Sequence, residues 1–374
     1  MKKIFNNIHT GKTWWIEMTD TGFMTCLNNG KVKETVCTSS FQSRSKAQSA
    51  MKAQMKKGFI YQNSEAKQFE PIFHMSVDVG NTGFMPIASN SLQTDFYIVG
   101  VKGQFEDECI YHIVPSGEIC DQYSLGGDRL SYSAVLQNDG KIYLNNKHRV
   151  EQFDITSGKN TFLSDTLDGF KMILDGNGNS VLYYDGSNLI LSSEDKIIWE
   201  QPVHFTENNT YHFHYYCFGI LSNDGTKVLY RCDSAGYFLV DVGAKTERFI
   251  ENVDWGAFFY WNDEYVVIGD KCYSVADGTE QPAGILPFPL PLKQLYPHAG
   301  DVIFSDNLAA IKESSYETGS KIGIQIWDCD KKELLTTIKD DFIIKNFSMK
   351  FAGHNLVIYS DYGVVSVYNC STQD

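Results

Sequence analysis

One pattern recurs along the chain: an apolar alternation that ends in Asp, followed by a polar turn and a Lys. The clear copies span residues 150–159, 237–245 and 323–332. Their aspartates, Asp154, Asp241 and Asp328, lie 87 residues apart, which is twice a period of about 43 residues. Weaker copies lie where the halved period expects them, at residues 111–118, 272–279 and 365–370. This period predicts a repeat protein.

Each repeat unit is predicted to be a small antiparallel sheet. The clearest first hairpins are residues 133–144, 171–184 and 218–230, each with a turn rich in Asn, Asp and Gly. Such residues favour tight hairpin turns because they tolerate positive φ. The apolar residues recur with a spacing of two, which argues against helical repeats of similar period. The units span about 83–127, 130–166, 168–205, 214–253, 254–287, 298–341 and 344–374.

Seven such units predict a mainly β fold, a seven-bladed β-propeller over residues 72–374. A closed ring buries the faces and edges that isolated four-stranded sheets would expose. The last unit has room for only three strands, so we expect residues 72–79 to form its outer strand and to close the ring. The units resemble WD-repeat-like and quinoprotein-like propeller blades, with Trp327-Asp328 as the one Trp-Asp mark. The repeat aspartates are predicted to be structural, each accepting hydrogen bonds from backbone N–H groups of the following turn.

Residues 1–62 are predicted to form a separate α+β domain, joined to the propeller by a polar linker at residues 63–71. A three-stranded sheet is expected from strands at residues 12–18, 22–28 and 32–37. A helix follows, with Ser43 as the expected N-cap and Gly58 as its end.

This order resembles a WGR domain over roughly residues 5–62. The matching positions are Lys12-x-Trp14-x-Ile16, Phe41-x-Ser43 and Lys57-Gly58-Phe59, and the family's Trp-Gly-Arg triplet falls on Asn29-Gly30-Lys31. In DNA-dependent poly(ADP-ribose) polymerases, which contain such a domain, that Trp and Arg help to hold a DNA end. Because Asn and Lys replace them here, the resemblance implies at most weak nucleic-acid contact through charge alone. The residues expected to supply that charge are Lys31, Lys33, Arg44, Lys46, Lys56 and Lys57.

The formal net charge of −14 is unevenly distributed. Residues 1–70 contain eleven Lys or Arg and five Asp or Glu, a net of +6, so the remainder carries −20. This asymmetry suggests two parts with different partners, the basic part being suited to an acidic surface. The alternative is that both charge balances serve only solubility.

The composition does not suggest export or membrane insertion. No apolar run of 18 or more residues is present, and polar residues interrupt the apolar core that a signal peptide would need near the N-terminus. The nine cysteines are odd in number and contain no Cys-x-x-Cys pair, so neither a disulfide framework nor a zinc site is indicated. We expect a cytoplasmic monomer that has no membrane partner and needs no metal or cofactor.

Three segments could carry chemistry, and each also has a simpler interpretation. His204, His212 and His214 could bind a metal across a hairpin, but surface histidines on a polar loop are preferred. Residues 175–180 begin like a calcium loop, but a hairpin turn is preferred because the bidentate Glu of such loops is missing. The proline-rich segment 284–297 offers apolar side chains either to a blade end or to a partner, and packing on a blade is preferred.

Two functions from different classes remain. The first is a non-enzymatic intracellular scaffold, whose propeller binds a protein and whose N-terminal domain binds a second partner or, weakly, nucleic acid. The alternative is a propeller enzyme or small-ligand-binding protein that uses the central channel. The inner strands open with apolar and small residues, among them Ala134, Phe218 and Phe347, which favours the scaffold. No Ser-His-Asp or Cys-His arrangement stands out, so no catalytic residue is predicted.

Overall fold

The fold of this protein is described by a computed structural model. It describes residues 2–77, 79–80, 85–102, 107–126, 131, 133–146, 149–163, 172–203, 218–231, 236–251, 258–290, 302–313, 323–339, 347–360 and 363–371. Within these residues the chain is mainly β, with one α-helix and one short 3-10 helix, Ala283–Ile285. No helix in the described part of the chain has the length and apolar character needed to cross a membrane.

The N-terminal elements form a five-stranded sheet with one helix. They are β1 (Lys2–Asn7), β2 (Lys12–Thr19), β3 (Gly22–Leu27), β4 (Lys33–Val36), α1 (Ser40–Met55) and β5 (Phe59–Gln62), and they are followed by a further strand, β6 (Pro71–Ser76). The three predicted strands correspond to β2, β3 and β4, but the prediction of a three-stranded sheet was wrong. β1 and β5 extend the sheet in the order β5-β1-β2-β3-β4. The mostly polar sequence of β1 hides its strand character, which depends on backbone pairing with β2 on one side and β5 on the other.

The helix begins earlier than the sequence suggested. Ser39, not Ser43, is the N-cap, because its Oγ accepts a hydrogen bond from the Gln42 N–H at 3.2 Å. Ser43 lies inside the helix, where its buried Oγ donates to the Gly22 carbonyl oxygen at 3.0 Å. That hydrogen bond across to β3 satisfies a hydroxyl that would be costly to bury alone.

Six sheets of four consecutive strands follow, and they match the first six predicted units. The first contains β7 (Ile87–Ala88), β8 (Phe96–Lys102), β9 (Asp107–Ile113) and β10 (Ile119–Gly126). The second contains β11 (Ala134–Leu136), β12 (Lys141–Asn146), β13 (Arg149–Asp154) and β14 (Lys159–Phe162). The third contains β15 (Met172–Gly176), β16 (Ser180–Tyr184), β17 (Asn188–Ser193) and β18 (Lys196–Pro202).

The other three sheets have the same order. The fourth contains β19 (Phe218–Leu221), β20 (Lys227–Arg231), β21 (Tyr237–Asp241) and β22 (Thr246–Ile250). The fifth contains β23 (Phe258–Trp261), β24 (Tyr265–Ile268), β25 (Lys271–Ser274) and β26 (Glu280–Gln281). The sixth contains β27 (Val302–Ser305), β28 (Leu308–Glu313), β29 (Gly323–Asp328) and β30 (Glu333–Ile338).

The last three strands continue into the N-terminal sheet. They are β31 (Phe347–Ala352), β32 (Asn355–Ser360) and β33 (Val364–Asn369). β33 pairs antiparallel with β6, with Val365 opposite Met75. The predicted pairing of residues 72–79 with the last unit is therefore present, although β6 begins at residue 71 and ends at residue 76. Because β6 also pairs with β5, the result is one nine-stranded sheet in the order β31-β32-β33-β6-β5-β1-β2-β3-β4.

Apolar clusters join each sheet to the next around a ring. Along the inner strands β7 contacts β11, β11 contacts β15, β15 contacts β19, β19 contacts β23, β27 contacts β31, and β31 contacts β7. The fifth and sixth sheets are joined by a cluster that includes Phe259 and Ala309. The ring closes where Phe73 and Val367 of the nine-stranded sheet pack with Ile98 of the first sheet. The fold is a propeller with six clear blades and a sheet shared by the N-terminal and C-terminal strands.

The segment between β5 and β6 is anchored to the last strand. Asn369 Nδ2 donates to the Ala66 carbonyl oxygen at 2.9 Å. The Asn369 backbone N–H donates to the Glu70 carbonyl oxygen at 3.0 Å, and the Phe69 N–H donates to the Asn369 carbonyl oxygen at 2.6 Å. Residues 63–71, predicted as a linker, thus run along the propeller and end in a paired strand.

The repeat aspartates fold the turn that follows the third strand of a sheet. Asp154 Oδ1 accepts hydrogen bonds from the N–H groups two and three residues further on, at 2.8 and 3.1 Å. Asp328 Oδ1 does the same at 3.1 and 2.9 Å, and Asp241 Oδ1 accepts from the N–H three residues on at 2.8 Å. These are the hydrogen bonds of a turn-forming aspartate. They hold the pKa of all three carboxyl groups below its usual value.

The first hairpin turns of neighbouring sheets are hydrogen-bonded to one another. The Asn138 N–H donates to the Gly178 carbonyl oxygen at 2.7 Å, and Asn177 Nδ2 donates to the Asn223 carbonyl oxygen at 3.0 Å. The Asn223 N–H donates in turn to Asp263 Oδ1 at 2.7 Å. Residues 175–180 form one of these hairpin turns, so the preferred interpretation of that segment is confirmed. We call this series of contacts, from the second sheet to the fifth, the turn belt.

The closing strand should be essential to stability. Phe73 on β6 is completely buried between the nine-stranded sheet and the first sheet. Phe73→Ala should lower the free energy of unfolding by about 3–5 kcal/mol, because it leaves a cavity where the ring closes. Urea unfolding followed by tryptophan fluorescence measures this change. Phe41→Ala, at a side chain that is 82% exposed, is the control and should have little effect; equal stability of the two variants would contradict the role of β6.

The repeat aspartates should contribute stability that depends on pH. Asp328 is buried, with 4% of its surface exposed, and Asp328→Ala should cost about 0.5–2 kcal/mol by analogy with lost helix caps. Asp154→Ala and Asp241→Ala should destabilise in the same direction. Because the folded-state pKa is lowered, the contribution is complete above the unfolded-state pKa and is lost as the pH falls through the folded-state value.

Urea unfolding at two pH values tests this dependence. The stability difference between the wild type and Asp328→Asn should be larger at about pH 7 than at about pH 3. A difference independent of pH would show that the charge of Asp328 does not stabilise its turn.

Candidate functional site

The six basic residues expected to contact nucleic acid are exposed, but they are spread over several elements. Lys31 precedes β4 and Lys33 begins it, at the free edge of the nine-stranded sheet. Arg44 and Lys46 lie two residues apart on α1, so they point to different sides of the helix. Lys56 and Lys57 follow its last residue. The structure therefore brings Lys31 and Lys33 together and does not gather all six on one face.

The three histidines considered as metal ligands, His204, His212 and His214, lie outside the described residues. Among the residues that are described, no group of three or more His, Cys, Asp or Glu side chains is arranged to hold a metal ion.

The proline-rich segment packs against the propeller as far as the structure describes it. Leu286 and Phe288 are buried in the cluster between the fifth and sixth sheets, and the rings of Phe288 and Phe259 lie 5.8 Å apart. Leu290 is partly buried in the same cluster. Packing on the blades is thus confirmed for these residues, and residues 291–297 lie outside the described part of the chain.

The inner strand of the third sheet carries a charged side chain, Asp175, which the sequence analysis considered only as the first residue of a calcium-like loop. Asp175 lies on β15, where a bulge places the extra residue Leu174 before it. Asp175 Oδ2 accepts a hydrogen bond from the Leu221 N–H on β19 at 2.8 Å, and Oδ1 accepts from the Gly176 N–H at 2.8 Å. The bulge has therefore turned this carboxylate toward the inner edge of the next sheet.

That edge faces the centre of the ring. The Ser222 N–H donates to the Lys227 carbonyl oxygen at 3.0 Å, in register with the pairing of β19 and β20. In an antiparallel pair the N–H groups alternate in direction, so the Leu221 N–H points away from β20. Because β19 is the first strand of its sheet, its unpaired side borders the central channel. Asp175 thus lies at the wall of this channel.

Lys350 on β31 reaches into the channel from the opposite part of the ring. Its Nζ donates to the Ala134 carbonyl oxygen on β11 at 3.4 Å. The sheets of β31 and β11 are not neighbours, because β7 of the first sheet lies between them and contacts both. The lysine therefore extends past the two-residue strand β7 toward the ring centre. Burial lowers the pKa of Lys350 and raises that of Asp175, while the attraction between the two charges opposes both shifts.

Asp175 and Lys350 bear on the choice between a scaffold and a protein that binds a ligand in its central channel. In the sequence, the apolar and small residues that open the inner strands favoured the scaffold over a ligand-binding channel. Asp175 and Lys350 lie toward the ends of β15 and β31, beyond the apolar residues that open those strands. A single charged residue within an otherwise apolar inner strand is a sequence signal that could have drawn attention to these two positions. The side of the strand on which Asp175 lies could not be predicted, because the bulge at Leu174 changes it.

A polar cleft of about 480 Å³ lies between the fourth and fifth sheets. Some of its charged groups have partners within the fourth sheet. Lys227 Nζ lies 3.2 Å from Asp241 Oδ2, and the Tyr230 hydroxyl donates to Glu247 Oε2 at 2.9 Å. Both contacts lie within the fourth sheet, and they occupy four of the polar groups in and beside the cleft.

Comparisons with known proteins bear on the fold. No protein-family model matches the chain, and no curated protein matches it. Among solved structures, a chain from the crystal structure of the mitotic checkpoint complex matches with a TM-score of 0.56 and 10% identity, over 83% of this chain and 94% of that one. Virginiamycin B lyase from Staphylococcus aureus matches with a TM-score of 0.55 and 14% identity, over 79% of this chain and 98% of that one.

Identities this low show the fold and not the function. The propeller part of the expected resemblance is therefore borne out, and the WGR part finds no support in these comparisons. By its sheets and by its structural neighbours, this chain is a β-propeller.

Proposed function

We propose that this protein is a non-enzymatic scaffold that binds another protein through the free edge of its nine-stranded sheet. The observation that carries the proposal is the distribution of exposed apolar side chains. Of the fourteen large apolar side chains exposed in the described residues, seven lie in the first 41 residues: Ile4, Ile8, Met18, Leu27, Val32, Val36 and Phe41. Such a concentration favours an interaction surface, because isolated exposed apolar residues are ordinarily scattered.

Strand β4 provides backbone groups beside these side chains. Among the residues that the structure describes, it pairs with β3 alone and is the last strand of the sheet. The Cys37 N–H donates to the Thr21 carbonyl oxygen at 2.8 Å, so the N–H groups of Glu34 and Val36 point away from β3 by antiparallel alternation. An extended peptide could pair with these outward groups as an added strand. Two exposed apolar side chains lie in and just after this strand: Val36, the last residue of β4, is 67% exposed, and Phe41, in the first turn of α1, is 82% exposed.

The charge of this edge favours an acidic peptide. Lys31 and Lys33 are exposed at β4, within a segment whose net charge is +6, whereas the remainder of the chain carries −20. Basic side chains at the rim of a surface mainly increase the association rate with an acidic partner and disfavour basic ones. A short edge strand with lysines also resists aggregation, and that property is compatible with selective pairing.

The edge is held rigidly relative to the propeller. The sheet runs without interruption from β4 to β31, and Val364 of β33 packs in the same cluster as Phe5 and Met51 of the N-terminal part. A surface that is already ordered loses less conformational entropy when a partner binds. The N-terminal strands would therefore present the partner in a defined position beside the ring.

Finer structural assignments belong to the same proposal. We assign β31, β32, β33 and β6 as a seventh blade, so that residues 72–374 form the propeller, residues 63–71 the connection and residues 1–62 the N-terminal unit. This assignment is supported by the position of β6, which is the fourth strand after β31, β32 and β33, as in the other four-stranded blades. The seven cysteines in the described residues are free thiols, which favours a reducing compartment such as the cytoplasm.

Selection of peptides on the intact protein tests the edge. Random peptides displayed on phage and selected against the full chain should converge on acidic sequences that alternate with apolar residues. Glu34→Pro should abolish their binding, because it removes an outward N–H without breaking the hydrogen bonds to β3. Glu34→Ala keeps that N–H and is the matched control, while Leu92→Ser tests an exposed apolar residue elsewhere. Peptides that bind Glu34→Pro as tightly as wild type would refute the proposed edge.

Duplex DNA provides the competing outcome. If Lys31 and Lys33 attract phosphates, the full chain should bind a duplex weakly, and the affinity should fall steeply between about 50 and 200 mM salt. Replacing both lysines by Ser should weaken this binding, whereas Glu34→Pro and Glu34→Ala, which remove the same negative charge, should change it equally. Fluorescence anisotropy measures both effects. Tight, salt-insensitive binding to DNA would favour a nucleic-acid function over the protein scaffold.

A further inference from the structure

We propose that the central channel holds a small zwitterionic ligand, with its carboxylate toward Lys350 and its ammonium group toward Asp175. This site is separate from the β4 edge and does not depend on the function proposed for it. Lys350 enters from the last inner strand and Asp175 from the third, so the two charges come from separate parts of the ring.

The lysine has donors to spare. An ammonium group carries three N–H donors. Within the described residues, the hydrogen bond made by Lys350 Nζ goes to the Ala134 carbonyl oxygen, at the long distance of 3.4 Å. Lys350 is partly withdrawn from water, and a cation in that position with incomplete hydrogen bonding favours a ligand that supplies acceptors. A carboxylate offers two oxygens and the opposite charge.

The aspartate has acceptor capacity to spare. Its two oxygens accept one backbone N–H each, from Gly176 and Leu221. A carboxylate offers about four lone-pair positions, so two remain. Asp175 is only partly exposed, and its negative charge would be matched by a ligand ammonium group. A third polar group lies within electrostatic range of Asp175: the hydroxyl of Tyr260, which is buried and has no hydrogen-bond partner among the described residues.

The choice of a zwitterion follows from charge balance. Lys350 and Asp175 attract each other, yet the ion pairs found in the described residues do not include a direct contact between them. A simple anion would pair with Lys350 and leave a net negative charge beside Asp175, and a simple cation would leave a net positive charge beside Lys350. A molecule that carries both charges would pair each residue and keep the channel neutral.

Titration calorimetry on the full chain tests the proposal with simple probes. Glycine, β-alanine and 4-aminobutanoate carry the two charges at increasing separation, while acetate and methylammonium carry one charge each. We expect saturable binding of at least one zwitterion, with acetate and methylammonium at least about tenfold weaker. No saturable binding of any zwitterion, or equally tight binding of acetate or methylammonium, would overturn the proposal.

Substitutions locate the binding. Lys350→Met and Asp175→Asn should each weaken the best zwitterion by at least about tenfold, because each removes one charge while keeping a similar side-chain size. Lys312→Met is the matched control, since Lys312 also donates to a backbone carbonyl of an inner strand, that of Phe347 at 3.1 Å, but lies on β28. Thermal unfolding verifies that the variants are folded, and Lys350→Arg, which keeps the charge, should retain part of the affinity if Lys350→Met is unstable. Unchanged affinity in folded Lys350→Met, or equal loss in Lys312→Met, would refute this site.

Discussion

The antiparallel pairing of β6 with β33 is the contact on which the ring depends. The last unit of the chain supplies three strands, and without β6 the hydrogen-bonding edge of β33 would be open to solvent. The same strand carries Phe73, which is buried where the nine-stranded sheet meets the first sheet. One strand from near the N-terminus thus completes the final sheet and holds the two ends of the ring together. This arrangement also joins the N-terminal strands to the propeller, because β6 is shared by both.

Two further layers of interaction build on that closure. Apolar clusters fill the space between successive sheets, and the turn belt connects the hairpin turns of the second to the fifth sheet by hydrogen bonds. The asparagines and aspartates of these turns therefore serve two purposes: they permit the tight backbone conformation and they supply polar groups to the neighbouring blade. The two candidate sites consist of groups that the apolar clusters and the turn belt do not include. The β4 edge lies at the outer end of the longest sheet, and the Asp175–Lys350 pair lies at the inner strands, where the sheets meet the channel.

Much of the propeller could be predicted because its signals are local. An apolar spacing of two, turns of Asn, Asp and Gly, and aspartates at a regular period act over a few residues, and six of the seven units correspond to four-stranded sheets. The N-terminal part was predicted less well for a physical reason. β1 is polar and becomes a strand because β2 and β5 pair with it, and Ser39 and Ser43 are equally suitable caps until packing places Ser43 against Gly22. The six basic residues are exposed, but they lie at β4, on α1 and directly after α1, so their relative positions depend on how these elements pack.

What the sequence determined by itself is the repeated blade, its turns and the aspartates that hold them, since each of these follows from hydrogen bonds and side-chain alternation within one hairpin. The tertiary structure alone decided that the N-terminal sheet and the last unit form one continuous sheet, because strand order across distant segments is set by which edges remain unpaired. It also decided that Asp175 and Lys350, 175 residues apart in the sequence, lie within electrostatic range of each other. Their proximity requires the closed ring, a bulge at Leu174 and a first sheet whose inner strand has only two residues, and no local pattern encodes those three together.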